Sequence, residues 1–388
     1  RTGISKETGL IKEWPKEGPK VLWKIENLGA AYSAVTVARG RIFTQGTKDG
    51  DETIFSLDLQ TGKTIWAVSP NGGTAPFEEK RGNGARGSST IVGNDVYTEG
   101  GTGIVTCLDF ETGRQKWSRD FVKEFGSDVP KWGFCESPLV DGDKLIVTPG
   151  GKNGAIAALN RATGETLWST SEVTDPAHYS SVILAESEGV PQYIQFLSTR
   201  VVGVRATDGK FLWDYAGAAN RTANVCTPIF HDNSVFASSA YGTGGGLVKL
   251  TKDGEKFKAE EQYFDKTLAN HHGGIVLHEG YLYGFGGEAL ICLEYKTGKT
   301  AWKNRSVGKG SLTYADGHLY CLGEKQVLGL VEANPKEYVE KGRIELPESG
   351  RPSWAHPVVA QGRLFIRDQG TLTCYDIAEP GTLASVGR

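Results

Sequence analysis

Four of the seven histidines, His178, His271, His272 and His356, stand at the start of short apolar runs that open on Ser, Gly or Pro. Arg86-Gly87-Ser88, Cys135-Glu136-Ser137 and Lys309-Gly310-Ser311 hold comparable positions, Asn270 precedes the His pair, and Trp354 lies two residues before His356. Imidazole titrates near neutrality and ligates transition metals, and a nearby carboxylate completes either a metal site or an acid–base pair. Glu136 with His271, His272 or His356 is therefore a candidate for such chemistry, and Glu136, His271 and His356 are the metal-ligand candidates. On the alternative reading these groups only hydrogen-bond one another and water, as buried polar groups must. Adjacent residues on a strand point to opposite faces, so at most one of His271 and His272 is expected to face a shared site.

Other chemistry is excluded by absence. There is no GxSxG, HExxH, CxxC or CxxCH motif, which argues against α/β-hydrolase, zincin, thioredoxin-type and c-haem chemistry. The net charge of −3 argues against nucleic acid, whose binders usually carry a basic stripe. No run approaches the ~20 apolar residues of a membrane helix. The chain begins at Arg1 rather than Met, which leaves room for a leader ahead of it.

The elements that position these residues are repeats. Leu57-Asp58, Thr61-Gly62 and Trp66 return as Leu108-Asp109, Thr112-Gly113, Trp117 and as Leu159-Asn160, Thr163-Gly164, Trp168. Weaker copies are Val204, Asp208-Gly209, Trp213 and Leu293-Glu294, Thr297-Gly298, Trp302. The Gly supplies the positive φ a tight turn needs, and the Trp four residues on lies on the next strand. A second hairpin precedes each copy, as in Ser137–Val147 around Asp141-Gly142, so each unit has four strands. Trp23, Trp66, Trp117, Trp168 and Trp213 are 43, 51, 51 and 45 residues apart, and the 89 to Trp302 contain a degenerate unit at Leu247–Lys258 without Trp. Another degenerate copy spans Leu330–Ile344. The last unit, Trp354–Asp376, lacks its fourth strand, and Val21–Ile25 is a lone strand carrying Trp23. Radial repetition of four-stranded units at this period predicts an all-β, eight-bladed β-propeller with antiparallel blades, closed by the N-terminal strand joining the C-terminal blade. One domain is expected over 1–388, with 1–20 a lead-in and 377–388 a tail outside the blades.

The phrase Leu-Asp-x-x-Thr-Gly-Lys-x-x-Trp resembles the tryptophan-docking repeat of the PQQ-like (quinoprotein-type) propellers. That family includes quinoprotein dehydrogenases and the propeller subunit of the bacterial outer-membrane β-barrel assembly machinery. The resemblance runs from Trp23 to Asp376 and speaks to fold rather than activity. It implies a periplasmic or secreted location. It offers two functions: a ligand-binding or protein-interaction scaffold, or an oxidoreductase using pyrroloquinoline quinone with Ca²⁺. On the second, Glu136 resembles the metal-ligand Glu, Asn224 or Asn270 the metal-ligand Asn, and Lys309 or Arg86 the cation near the quinone oxygens. The chain departs from those enzymes in having no adjacent Cys pair and no counterpart of the catalytic Asp, and in being shorter.

The repeat removes candidates and concentrates the rest. Its tryptophans are packing residues, Asp58 and Asp109 support turns, and Tyr241–Gly246 is a hairpin connection rather than a phosphate loop. Cys107, Cys292 and Cys374 share one repeat position in separate blades and are expected to be free, buried thiols. In a propeller the segments leading into the innermost strands share one face with the connections between second and third strands. Arg86, Glu136, His178, Asn270, His271, His272, Lys309, Trp354 and His356 are thereby predicted to line one polar central funnel, facing a small molecule or a protein partner of a monomeric propeller. Two long lead-ins, Ala67–Arg86 with Glu78-Glu79-Lys80-Arg81 and Ser118–Phe134 with Trp132, are expected near that funnel. Arg367-Asp368 is expected on the same face as a paired, turn-supporting set.

Overall fold

The computed structural model describes residues 1–73, 77 and 84–381. Glu78, Glu79, Lys80 and Arg81 lie outside the described residues, as does the tail from 382 onward.

Among the described residues the strands form eight four-stranded antiparallel sheets. The first blade shows the pattern: Thr36–Ala38, Arg41–Lys48, Asp51–Asp58 and Thr64–Val68 follow one another from inner to outer strand. The eighth is stitched from both ends of the chain. Val358–Ala360, Arg363–Asp368 and Thr371–Asp376 are completed by Val21–Ile25, with Trp23 opposite Cys374 and Ile25 opposite Leu372.

The repeated Gly and Trp meet between blades rather than within one. Trp66 on the outer strand of the first blade donates its indole N–H to the carbonyl of Phe110 in the second at 3.0 Å. Trp117 reaches Arg161 of the third at 3.0 Å, and Trp302 of the sixth reaches Asn334 of the seventh at 2.7 Å. The ring lies against the turn glycine of the next blade. A Cβ on Gly113 would stand 2.9 Å from Trp66, and one on Gly164 would stand 2.8 Å from Trp117. These glycines also sit at φ +71 and +77, where a side chain is strained. The seam uses the same contact: Trp23 bonds to the Leu59 carbonyl at 3.3 Å, and a Cβ on Gly62 would meet it at 2.8 Å. The fifth blade has no Trp in its phrase, but Tyr263 takes the place. Its ring lies 2.5 Å from a Cβ on Gly298, and its hydroxyl donates to the Tyr295 carbonyl at 2.7 Å.

The turn carboxylates and the cysteines stand as expected. Asp58 accepts from the Thr61 backbone and hydroxyl, Asp109 does the same for Thr112, and all six cysteines are free. The Ser118–Phe134 stretch contains a short helix, Phe121–Phe125, capped by Asp120 and buried through both phenylalanines. Arg367 is not held by Asp368. It is fully buried and donates to the Thr44 hydroxyl and the Gly29 and Gln369 carbonyls, tying the eighth blade to the first. The lead-in 1–20 lies outside the sheets but is not peripheral: Leu10 and Trp14 are buried, and Trp14 packs on Tyr320. No helix among the described residues is long and apolar enough to cross a membrane.

The inter-blade contact yields a test. Gly164→Ala places a methyl against Trp117 and strains the turn, and is expected to cost about 3 kcal/mol. Gly93→Ala has φ +58 but nothing within 4 Å of its Cβ, and is expected to cost about 1 kcal/mol. Urea unfolding of both variants measures the difference; equal losses would mean that the indole yields without cost.

Candidate functional site

Segments leading into all eight inner strands line one cavity of about 830 Å³. Arg86, His271, His272, Lys309, Trp354 and His356 line it, whereas Glu136, His178 and Asn270 do not. Those three clamp backbone instead. Glu136, 3% exposed, accepts from the backbone N–H of Thr148 at 2.6 Å and of Val182 at 3.0 Å, joining the third blade to the fourth. Asn270 donates to the carbonyls of Gly274 and Phe285, both at 3.1 Å. His178 accepts the Asn224 N–H at 3.1 Å and stacks on Tyr179. Burial lowers its pKa to about 4, so the accepting nitrogen stays bare at neutral pH.

The metal-ligand set expected from sequence is not assembled. Among the described residues, the His/Cys/Asp/Glu group whose ligand atoms converge is His271, His272 and Glu324. Glu136 is turned to the Thr148 and Val182 amides, and His356 contacts the His272 carbonyl at 3.4 Å. The expectation that only one of His271 and His272 faces the site is also corrected. Both line the cavity, because residues 271–273 form a bend ahead of the strand Ile275–His278, where strand alternation does not apply.

One side of the cavity is aromatic and cationic. Tyr32 and Trp354 lie with ring centroids 4.4 Å apart. The Arg86 guanidinium sits 4.7 Å from the Tyr32 centroid and 5.5 Å from that of Trp354, within cation–π range. Its Nε donates to the Trp132 carbonyl at 2.9 Å, and Trp132 packs on Tyr179. The other side is a polar cluster around Glu324. Its Oε1 lies 3.0 Å from His272 Nε2, 3.1 Å from Lys309 Nζ and 2.7 Å from the Trp354 indole N–H. Burial works to raise the Glu324 pKa, but His272, Lys309 and Trp354 outweigh it and hold the carboxylate down at about 2. Tyr241 closes this side, its hydroxyl 2.8 Å from His271 Nε2.

Glu324, Tyr241 and Tyr32 were not among the predicted site residues. Glu324 and Tyr241 lie in connections between second and third strands, a class of segment already placed on this face, but nothing in the turn composition marked them. Sequence also gave no sign of Arg1–Ser5, which line the cavity. Gly3 and Ser5 bond to the backbone of Tyr314 on the inner strand Gly310–Ala315, at 2.8 Å each. This satisfies part of an inner strand's otherwise unpaired edge. Arg1 lies near Glu136 and Glu99 and attracts both.

The relatives of the chain agree with this architecture. A family model described as outer membrane protein assembly factor BamB matches residues 4–94 and 50–284. The quinone-dependent alcohol dehydrogenase subunit of Gluconobacter oxydans is 28% identical over 221 residues, covering 50% of this chain and 28% of that protein. BamB of Kangiella koreensis is 24% identical over 226 residues, covering 56% of this chain and 51% of that protein. The chain thus matches about half or less of the length of these curated relatives. The structure of BamB from Moraxella catarrhalis superposes with a TM-score of 0.66 at 13% identity, covering 92% of this chain and 100% of that one. A europium-containing methanol dehydrogenase gives 0.67 at 10% identity, covering 94% and 90%. At these identities the superpositions establish the fold.

Below the cavity, burial raises the pKa of Glu99 and Glu136; for Glu99 the neighbouring Glu136 adds to the rise and Arg1 opposes it. The folded state therefore holds these protons more tightly than the unfolded chain, where Glu titrates near about 4.3. Their contribution to stability is complete below that pH and is lost as pH rises through the raised folded values. Glu99→Gln is expected to lose less thermal midpoint than the wild type between about pH 5 and about pH 8. A parallel decline in the two proteins would overturn this assignment.

Proposed function

The chain belongs to the family of the outer membrane protein assembly factor BamB, and from that premise we propose that it is an extracytoplasmic binding propeller. In this reading a small molecule or a segment of a partner protein is held in the central funnel, and the chain performs no redox chemistry. The observation that carries it is the split between the two classes of polar residue. Arg86, Tyr32, Trp354, Lys309 and the His pair face the cavity, as a binding surface requires. Glu136 and Asn224, which a quinone's metal would call on, bond to backbone, and neither they nor Asn270 line the cavity.

That second reading, a quinone- and Ca²⁺-dependent dehydrogenase, is favoured by the identity to the Gluconobacter oxydans subunit and by a cavity of adequate size. Its metal would call on Glu136 with Asn224 or Asn270. Glu136 is engaged by two backbone amides. Asn224 donates to the carbonyls of Leu197 and Ser198 at 2.9 and 3.0 Å and accepts from Asn220 N at 2.9 Å. Asn270 spends its amide nitrogen on backbone carbonyls; its Oδ1 is buried without a hydrogen-bond partner, but the residue does not line the cavity. The residues present do not fit a hard cation, which takes six to eight oxygen ligands.

Arg86 and Trp354 form the side of the funnel best suited to an occupant, since a guanidinium over aromatic rings offers both a charge and a flat apolar face. Photo-crosslinking from a benzophenone side chain at Tyr241, in cells that express the protein, is expected to give a discrete adduct. The adduct should disappear in Arg86→Ala with Trp354→Ala, and a probe at Leu167, exposed on the outer strand Thr166–Ser169 of the third blade, should not give it. Titration with pyrroloquinoline quinone and Ca²⁺ is expected to leave the cofactor's absorbance spectrum unchanged. Saturable quinone binding that Trp354→Ala abolishes would replace this reading with the dehydrogenase.

A further inference from the structure

We infer that His271, His272 and Glu324 form a binding site for a divalent transition-metal ion of the zinc class at the edge of the cavity. A strand would have sent the two imidazoles to opposite faces, but residues 271–273 are a bend, and both rings turn to the cavity. Glu324 comes from the connection between the second and third strands of the next blade, His318–Gly323 and Val327–Glu332. The seam between the sixth and seventh blades thereby brings two imidazoles and a carboxylate together, with ligand atoms all within 4.8 Å of one another.

The spacing suits one ion. Zinc binds nitrogen and oxygen at about 2.0–2.2 Å, so tetrahedral ligand atoms stand about 3.3 Å apart. His272 Nε2 and Glu324 Oε1 are already at 3.0 Å, and bringing in the farthest atom needs a side-chain shift of about 1.5 Å. The ligand chemistry selects the metal: two imidazoles and one carboxylate are the set of a three-ligand zinc site with an open fourth position, and are too few oxygens for calcium. That fourth position would face the cavity. The outer partners fit as well. The Trp354 indole holds Glu324 at 2.7 Å, the kind of second hydrogen bond that fixes a ligating carboxylate. The Nδ1 of His272 is buried and has no hydrogen-bond partner, which leaves the ring free to reorient without breaking a bond on that side.

Lys309 supplies the counter-argument and the sharpest test. Its ammonium lies 3.1 Å from Glu324 Oε1, so a metal ion must displace a cation already there. The site is thus a place where lysine and metal exclude each other. The inference does not rest on the identity of the funnel's occupant, so either can fail alone.

Zinc alone is the probe, by isothermal titration and by competition with a chromogenic chelator, on the full chain. One equivalent is expected to bind. His271→Ala and Glu324→Gln should each weaken binding at least tenfold, Lys309→Met should tighten it, and millimolar Ca²⁺ should not compete. Cobalt in place of zinc should give the intense visible bands of a four-coordinate site, and these should vanish in His272→Ala. Circular dichroism shows whether each variant is folded; should His272→Ala fail, His271→Ala and Lys309→Met carry the test. Absence of stoichiometric binding, or binding unchanged in folded His271→Ala and Glu324→Gln, would overturn the site, as would weaker binding in Lys309→Met.

Discussion

The structure depends on one contact, made at five of the eight joins: an aromatic ring on one blade's outer strand, laid over a glycine in the next blade's turn. Gly62, Gly113, Gly164, Gly209 and Gly298 all sit at positive φ with a neighbouring blade's ring where a Cβ would go. The contact is both steric and polar, because the indole N–H of Trp23, Trp66, Trp117 and Trp302 also binds a carbonyl of that next blade. Fixing the separation of neighbouring sheets fixes the curvature of the ring, and the curvature decides whether inner-strand starts meet around one cavity. Trp23 on Gly62 shows that closure uses the same chemistry as four of the other joins. A ring closed in this way leaves no special weak seam, apart from the loop-closure entropy of bringing the chain ends together.

A second set of contacts holds the blades near the axis. Glu136, Asn224, Asn270 and Arg367 are buried polar groups whose bonds go largely to backbone. They satisfy amides and carbonyls at strand ends, where a sheet ladder stops and leaves groups unpaired. Removing one would orphan several buried partners at once, which costs more than the bond itself is worth. Glu136, a buried Glu at a predicted funnel position, holds backbone in this way.

The architecture was legible because its signals are periodic. The Thr-Gly-x-x-x-Trp phrase, the Gly-centred hairpins and the complementary fragments at 21–25 and 354–376 each constrain the blade count independently. Tyr263 escaped because it does not sit in the recognisable phrase, although a phenol can cover a glycine and donate to a carbonyl as an indole does. The site was only partly legible. The ring topology brought Arg86, Lys309, Trp354, His271, His272 and His356 to one place, whereas Glu136, His178 and Asn270 turned away. Outside a strand there is no alternation to read, so a small rotation of a lead-in decides between cavity and backbone. Glu324 was hidden for the converse reason: a charged residue in a Gly-flanked turn looks like solvated surface until the opposing histidines are known.

The repeat supplies a nearly symmetric frame, and the side chains at its centre break that symmetry. Tyr32, Arg86 and Trp354, from three consecutive blades across the seam, make a flat cationic surface. Tyr241, His271, His272, Lys309 and Glu324, from the fifth to seventh blades, make a polar one. Trp354 belongs to both. Its ring faces Tyr32 and Arg86, while its N–H is spent on Glu324 and its centroid lies 5.8 Å from that of His272. Rotating the indole away from an occupant on the aromatic side would therefore break the hydrogen bond that fixes the carboxylate. The two halves are joined through one rigid side chain with two torsions, so a ligand that moves Trp354 must also change the charge environment of Lys309 and His272. A structural tryptophan of the repeat has no such freedom, being caught between two sheets; Trp354 stands outside the repeat phrase, and that is what allows it to couple the two sides of the cavity.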